Sequence, residues 1–519
     1  MPSACAHSGA INMRNRLNYT MPKTTMPKTI RNITTTLLLM VSALCYLHAA
    51  SPEYVIIASE DVNQDKAWRE VVNKLAMKHD AEVLLFAESP SEILESLQAM
   101  KPRYVAVVDM PENIGRDYVI EFHHTSRDID SDIYADFMWG IITGYDAEAA
   151  MRMVNNSTEP LVVKDAVASI MELNSAKWFD NYAWIDDHTK GLWGEKRGFY
   201  GEIKTDVVAP EEVLHKFTEL YAEYDPDLIV TAAHATQQNL EMPYSLGNLK
   251  PRDGKLYAED RFTGEEWDLK ESGKRRVYTA VGNCLIGDMN NTKESMAAAW
   301  MNGSNATTML GYVVTTWHGR NGWGALKYWV SNPERYTLAE AVYINQQDLV
   351  HQHNEWTPAL LDERYNFCDK FMEELTTAAG RVSEVTGREI DLENAHDWDM
   401  IGFWHDRDVV VYYGDPKWEV RLQSAGEQDY TVTAKRKGKR YIVTITTGDN
   451  FSMEKMRGDK FKQEHVLDLP FSYIFPERLK SPNLVGNKWG RAVVDENFML
   501  LYDAEFEPSS TYDIVIKTK

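Results

Sequence analysis

Short apolar runs alternate with helix-spaced stretches from residue 54 to about residue 410, and a two-residue alternation takes over beyond it. Tyr54–Ala58 (YVIIA), Val83–Phe86 (VLLF) and Tyr104–Asp109 (YVAVVD) each read as a buried strand. Between the first two, Trp68, Val71, Val72, Leu75 and Ala76 recur at helical spacing, and a second helix is expected over about Ser91–Met100. Apolar strands separated by helices imply a parallel sheet covered on both faces. The alternation goes on. Ala147–Val154 reads as a helix, a longer helical tract is expected near Asp165–Asn174, and Tyr182–Asp186 reads as a strand. Glu211–Tyr224 is a helix behind Pro210, and Asp227–Ala233 (DLIVTAA) is a strand. A polar, Gly-containing stretch (Ser245–Lys274) precedes a strand at Arg276–Val281, a helix at Ser295–Met301 and a strand at Gly311–Thr316. Residues 334–400 read as mainly helical.

After Gly414-Asp415-Pro416 the runs EVRLQ, YTVTAKRKGKRYIVTITTG and YDIVIKTK alternate with period two. Lys437-Gly438-Lys439 sits between two of them as a hairpin turn. About 100 residues of alternating strands suggest a β-sandwich of immunoglobulin type. The expected organisation is a leader over 1–50, an α/β domain over 51–416 and a β-sandwich over 417–519.

The leader changes how the rest is read. Lys28 and Arg31 precede an apolar run from Leu37 to Leu47, and small residues follow at Ala49, Ala50 and Ser51. This is the three-part pattern of a secretory signal, and the run is too short to span a bilayer comfortably. Cleavage after Ala43 or after Ala50 fits it. The expectation is an exported protein of the periplasm, cell surface or extracellular space, with no transmembrane segment once the signal is removed. The chain of 519 residues carries 55 Lys+Arg against 78 Asp+Glu, a net charge of −23, which disfavours nucleic acid and anionic membrane as partners. Four cysteines, Cys5, Cys45, Cys284 and Cys368, exclude a disulfide-stapled scaffold. Two remain after the leader. They could form one disulfide, or one could be a reactive thiol and the other a bystander.

Two strand ends carry matched chemistry. LIVTAAHAT places His234 just after one apolar run, and VYTAVGNCLIGD places Cys284 just after the next. In open α/β sheets functional groups gather beyond the carboxyl ends of the strands. If the two strands are neighbours, imidazole and thiol project into one crevice. A thiol of pKa about 8.5 holds little thiolate at neutral pH. A neighbouring imidazole can take its proton and later protonate a leaving amine. The backbone N–H groups of Cys284 and Ala235 are candidates for an oxyanion hole. The competing reading is a buried free Cys with an unrelated His.

At these residues the chain resembles the caspase-like cysteine peptidases, and the gingipain type most closely. YVAVVD (Tyr104–Asp109), DSDIYADFMWGIITGYDAEAAMRMV (Asp130–Val154) and KWFDNYAWIDD (Lys177–Asp187) resemble blocks of that family. So do MAAAWMNGSNATTMLGYVVTTWHG (Met296–Gly319) and VVVYYGDPKWEVRL (Val409–Leu422), in the same order. The likeness runs over about residues 53–420, with the trailing β-domain alike in architecture only. It implies a cysteine endopeptidase acting on proteins or peptides through Cys284 and His234 and a thioester acyl-enzyme. It implies no required cofactor; structural calcium on acidic loops stays open. It also puts Trp317 and Trp323 in the wall of the S1 pocket. The chain departs from the family at His234-Ala235, where His-Gly is usual. It departs again at Gly282-Asn283 before the Cys, and at Gly140-Ile141, where the family has Gly-Arg. The helical region 334–400 reads as an insertion.

Other candidates have plainer alternatives beside them. Asp186 or Asp187, ending a strand, could orient His234 or could be solvated carboxylates. Asp132 could face substrate or cap a turn. Asp288 could read a basic side chain or lie in an exposed loop. His318-Gly319 is a literal His-Gly pair but follows the Cys. His123 and His124 with Asp128, Asp130 and Asp132 match no standard metal spacing. The rival to an enzyme is an inactive peptidase-fold protein acting as a surface binding or adhesion module. A glycan-binding module using the 15 Trp is a third reading, although most of them precede residue 420.

Overall fold

The computed structural model describes residues 51–170, 178–244, 246–368, 370–424, 429–458 and 467–519. The expected signal segment lies outside the described residues.

Twelve strands make one sheet. In chain order they are β1 (Tyr54–Ser59), β2 (Glu82–Phe86), β3 (Tyr104–Val108), β4 (Met138–Ile142), β5 (Asp165–Ser169), β6 (Asn181–Ile185), β7 (Leu192–Arg197), β8 (Lys204–Val207), β9 (Leu228–Thr231), β10 (Arg276–Ala280), β11 (Ala306–Tyr312) and β12 (Val410–Tyr413). Their spatial order is β2-β1-β3-β4-β12-β11-β10-β9-β5-β6-β7-β8. Neighbours are parallel except at β12/β11, β6/β7 and β7/β8. The β12/β11 reversal therefore joins two parallel half-sheets that run in opposite directions. Such strands are buried on both faces, which is why β1, β9 and β11 are unbroken apolar or small-residue runs without alternation, while β10 opens on Arg276, paired with Asp225 at 2.6 Å.

Three expectations are corrected. Asp165–Asn174 is not helical: Asp165–Ser169 is β5, a central strand between β9 and β6, and residues 171–177 lie outside the described ones. A short, fully buried run of small residues has no period that separates strand from helix. The strand expected at Gly311–Thr316 begins earlier, at Ala306, and ends at Tyr312. Beyond it the backbone turns to other partners, with the Val314 carbonyl accepting from Leu285 N–H at 2.9 Å. Val83–Phe86 forms the expected strand but at the sheet edge, leaving Val83 and Leu85 exposed.

Beside this seam, β12 is held to β4 by a short contact. Gly414 N–H donates to the Ile141 carbonyl at 2.9 Å, and Tyr413 pairs with Ile141. Gly140 is needed here for close approach, since a Cβ on it would collide with the Gly414 carbonyl oxygen. Next in the chain, the fully buried Asp415 accepts from Tyr54 Oη at 2.9 Å, Lys78 Nζ at 2.8 Å, His79 Nε2 at 2.7 Å and Lys417 N at 3.0 Å. Lys78 and His79 end helix α1 (Lys66–His79), so one carboxylate ties β12 to β1 and α1.

Helices α2 (Arg116–Arg127), α3 (Ala147–Asn156), α4 (Val213–Tyr224) and α5 (Met296–Asn302) follow the alternation. The region 334–400 is helical as expected. Together with α6 (Arg320–Ser331) it gives α7 (Leu338–Trp356), α8 (Phe371–Thr386) and α9 (Ala395–Asp406). Leu375, Val382, Met400 and Trp404 form a separate small core there. The polar stretch after His234 is also folded. Residues 247–252, 255–260 and 266–268 join 235–236 and 239–241 in a five-stranded antiparallel sheet.

Beyond residue 430 two antiparallel sheets face each other. One has four strands (430–437, 440–447, 511–517, 483–484) and the other three (471–474, 498–501, 492–494). Val443, Ile445, Ile514 and Ile516 of the first share a core with Phe471, Met499 and Leu501 of the second. The turn at Gly438-Lys439 matches the expected hairpin, with Gly438 at φ +62°. The EVRLQ segment does not join these sheets: Val420–Leu422 pairs in parallel with Leu161–Val163. On its outer face the smaller sheet packs on the α/β part, where the Phe498 ring meets those of Tyr134 and Tyr343. Among the described residues no helix is long and apolar enough to cross a membrane.

Burial by itself would raise the Asp415 pKa, but the hydrogen bonds and charges of His79 and Lys78 outweigh it and hold the carboxyl at about 2. Its contribution to stability is therefore complete above the unfolded carboxyl pKa of about 4 and is lost as pH falls toward 2. Asp415→Ala is expected to lower the free energy of unfolding by about 3–5 kcal/mol, because it leaves buried cationic groups uncompensated. Urea titration at pH 7 checks this, and the gap from wild type should narrow below pH 4.

Candidate active site

Strands β9 and β10 are adjacent, parallel and in register, with Thr231 opposite Ala280. His234 follows the end of β9 by three residues and Cys284 follows the end of β10 by four. Both therefore leave the same edge of the sheet, where the sequence expects them. His234 is exposed and Cys284 half-buried.

The loop bearing Cys284 is shaped by its neighbours. Gly282 lies against Trp323, and a Cβ there would be 3.1 Å from the indole Nε1. Trp323 itself is buried, so its ring supports the loop from beneath. Leu285 has φ +58°, the left-handed region that a branched, bulky side chain rarely adopts. That conformation costs on the order of 1–2 kcal/mol. It is held by hydrogen bonds from Leu285 N to Val314 O and from Gly287 N to Tyr312 O, each 2.9 Å. A strained residue directly after the candidate nucleophile presents Cys284 at a sharp bend.

The His234 loop is the start of a β-hairpin. The His234 carbonyl accepts from Glu241 N–H at 2.9 Å, and Ala235 pairs with Leu240. Neither His234 nor Ala235 adopts positive φ. Alanine is thus accommodated where the resembling family carries glycine.

Asn283 joins the two loops. Its Nδ2 donates to the Ala233 carbonyl at 2.8 Å, and its Oδ1 accepts from Thr231 Oγ1 at 2.7 Å. The amide is fully buried. The sequence alone singled out neither Asn283 nor Thr231 for this role. The signal was a carboxamide directly before the Cys, paired with a hydroxyl at the end of the adjacent strand.

The thiol is at rest in this arrangement. Cys284 Sγ contacts the Thr316 carbonyl at 3.5 Å, and burial pushes the thiol pKa above its ordinary value, partly offset by backbone hydrogen bonds. Among the described residues no hydrogen bond joins His234 to Cys284. Cys284 and Cys368 are both free thiols, so the disulfide alternative is not formed.

The remaining candidates are dispersed. Asp186 is buried and accepts from His188 N at 2.8 Å and Thr189 N at 2.6 Å, closing the turn after β6. Asp187 lies 3.7 Å from His188 Nε2. Asp132 accepts from Tyr134 N at 2.8 Å and faces Asp495 of the C-terminal sheets. Trp317 packs edge-on against Trp398 in the helical layer. His318 is buried, with Nε2 3.0 Å from Asp399 and Nδ1 3.8 Å from Asp406. His123 Nε2 meets the Val410 carbonyl at 2.9 Å and His124 pairs with Asp408 at 3.1 Å, so neither turns toward the other's partner. Among the described residues, no group of three or more His, Cys, Asp or Glu is arranged to hold a metal ion.

A polar cavity of about 500 Å³ opens beside Leu285 and Thr315. Asp288 lines it and is buried, contrary to the exposed-loop reading. Its carboxylate accepts from Gln237 Nε2 at 3.0 Å and Asn290 N at 2.9 Å, and burial raises its pKa. Arg116 on the rim is already paired with Asp117 at 3.2 Å, and Glu374 accepts from Cys368 N at 3.0 Å. Asp288 is thus a buried carboxyl on the cavity wall, with the Arg116 charge also bearing on it.

No protein-family model and no curated protein matches the chain. Solved structures do. The crystal structure of gingipain R, an Arg-specific cysteine proteinase, has a TM-score of 0.41 and 9% identity, covering 78% of this chain and 86% of that one. A complex of the pro- and mature domains of Porphyromonas gingivalis RgpB has a TM-score of 0.41 and 10% identity, covering 76% and 87%. A third, described as a protease, has a TM-score of 0.36 and 11% identity, covering 77% and 85%. In chain path the protein is similar to gingipain R cysteine proteinases, with about one residue in ten identical.

Proposed function

We propose that the protein is a cysteine endopeptidase in which Cys284 is the nucleophile and His234 the acid/base. The observation that carries this reading is the shared edge: two in-register parallel strands deliver one imidazole and one thiol to the same side of the sheet. In the reaction His234 accepts the Cys284 proton as sulfur attacks the scissile carbonyl. The tetrahedral oxyanion is held by backbone N–H groups at Cys284 and Ala235. The protonated imidazole then donates to the leaving amine, and water hydrolyses the thioester. The thiol must leave the Thr316 carbonyl for this, so substrate engagement is the step that turns it toward His234. We also read the protein as exported and its C-terminal sheets as an immunoglobulin-type sandwich.

One observation favours a second reading, a binding module on a peptidase fold: the thiol is half-buried and turned to a backbone carbonyl, and burial pushes its pKa above the ordinary value. A thiol-directed acyloxymethyl ketone separates the two. Covalent labelling at Cys284, lost in Cys284→Ala and strongly slowed in His234→Ala, supports the peptidase. Absence of labelling in a folded wild-type protein supports the module. Against casein, Cys284→Ala is expected to abolish cleavage with an unchanged circular dichroism spectrum.

The Asp288 cavity adds a preference for basic side chains in the substrate. Asp288→Asn is expected to lower kcat/KM by about 10–100-fold for peptides with Arg or Lys beside the scissile bond, the scale of a lost charge-assisted hydrogen bond. Neutral peptides should change little. Equal losses on both sets would show Asp288 to be structural.

A further inference from the structure

The two residues immediately before His234 and Cys284 are joined through one buried side chain, and nothing so far assigned to the site explains it. Asn283 Nδ2 donates to the Ala233 carbonyl at 2.8 Å. Because a carbonyl can only accept, the amide orientation is determined, and Oδ1 must be the atom that receives Thr231 Oγ1–H at 2.7 Å. Thr231 has one hydroxyl proton and spends it there. The 2.9 Å contact between Thr231 Oγ1 and Tyr278 Oη is then a donation from the tyrosine. The result is a directed chain from Tyr278 on β10 to Thr231 on β9, to Asn283, and back to the β9 loop at Ala233. Tyr278, Thr231 and Asn283 are all fully buried, so water does not compete for these bonds.

The chain's position gives it a consequence. The last backbone bond between the strands is Val281 N to Thr231 O at 3.1 Å. Past that point the two loops diverge, one into a hairpin and the other into the strained bend at Leu285. The carboxamide spans the gap beyond the end of the ladder. We propose that Asn283 is a positioning residue that fixes the His234 loop relative to Cys284, so that imidazole and thiol meet when the thiol leaves Thr316. This rests on the peptidase reading. Asn283 touches no reacting atom and acts through Ala233 and the peptide on either side.

The test measures Cys284 itself, apart from turnover. The full chain is alkylated with iodoacetamide from pH 5 to 10, and modification of the Cys284 peptide is followed by mass spectrometry. Wild type is expected to show a low-pH limb of reactivity that disappears in His234→Ala. Asn283→Ala should remove that limb and lower kcat on casein by about 10–100-fold, the cost of a small misplacement of catalytic groups, with little change in KM. Thr231→Val, which keeps Asn283 but removes both the donor to Oδ1 and the acceptor of the Tyr278 hydroxyl, should do the same to a smaller extent, and Thr231→Ser, which keeps both roles, should restore wild-type behaviour. Adding Asn283→Ala to His234→Ala should cause no further loss. If Asn283→Ala unfolds the chain, Thr231→Val against Thr231→Ser decides. A wild-type limb that persists in Asn283→Ala and Thr231→Val overturns this inference and leaves the peptidase reading intact. A wild type without a His234-dependent limb overturns the peptidase reading and the inference with it.

Discussion

One buried carboxylate follows β12, the strand at which the two half-sheets meet, and ties that strand to β1 and α1. Asp415 has four donors around it, from β1, from both terminal residues of α1 and from the following turn. Lys78 reaches on from Asp415 to the carbonyls of Val154 and Ser157 at the end of α3. A charge in so dry a place is tolerated only because every acceptor position is filled and the neighbouring groups are cationic. The geometry of the seam follows. Strand β12 runs against β11 and with β4, so it must cross close to Gly140, and the chain then turns away at Gly414.

The candidate site lies on the far side of this seam and is tied to it through Tyr413 of β12, whose Oη donates to the Gly287 carbonyl at 2.8 Å. His234 and Cys284 belong to one half-sheet, whose direction is opposite to that of the other. Their loops are further organised by Gly282 on Trp323, Leu285 on Val314, and Asn283 on Ala233 and Thr231. The helical layer of α8 and α9 meets this region through Trp317 and His318, which anchor the loop whose Thr316 carbonyl contacts the thiol, and through Glu374 on the cavity wall. The layer thus bears on the position of the Cys284 thiol.

The electrostatics of the resting site point the same way. The thiol is half-buried beside a carbonyl, an environment that favours the protonated form. Asp288, also buried, is likewise pushed toward its neutral form until a cation reaches the cavity.

Apolar runs of four to seven residues made β1, β3, β9 and β10 legible from the amino-acid order, because a strand buried on both faces must be apolar throughout. The period-two alternation after residue 430 likewise required antiparallel sheets with one face buried. His234 and Cys284 were legible because each follows such a run directly. What local order could not supply was adjacency. That β9 lies beside β10, that Val420–Leu422 pairs with Leu161–Val163, and that Asp165–Ser169 is a strand were decided by partners distant in the chain. The same holds for the functional environment. Asp186 and Asp132 carry carboxylates at inviting positions, yet backbone donors and neighbours across the fold engage them. Asn283 looked like a departure from a motif, and only the tertiary structure brings Ala233 and Thr231 to its two amide atoms. Periodicity reports how a segment meets solvent; it carries no information about which buried polar atoms will be left to satisfy one another once the strands are side by side.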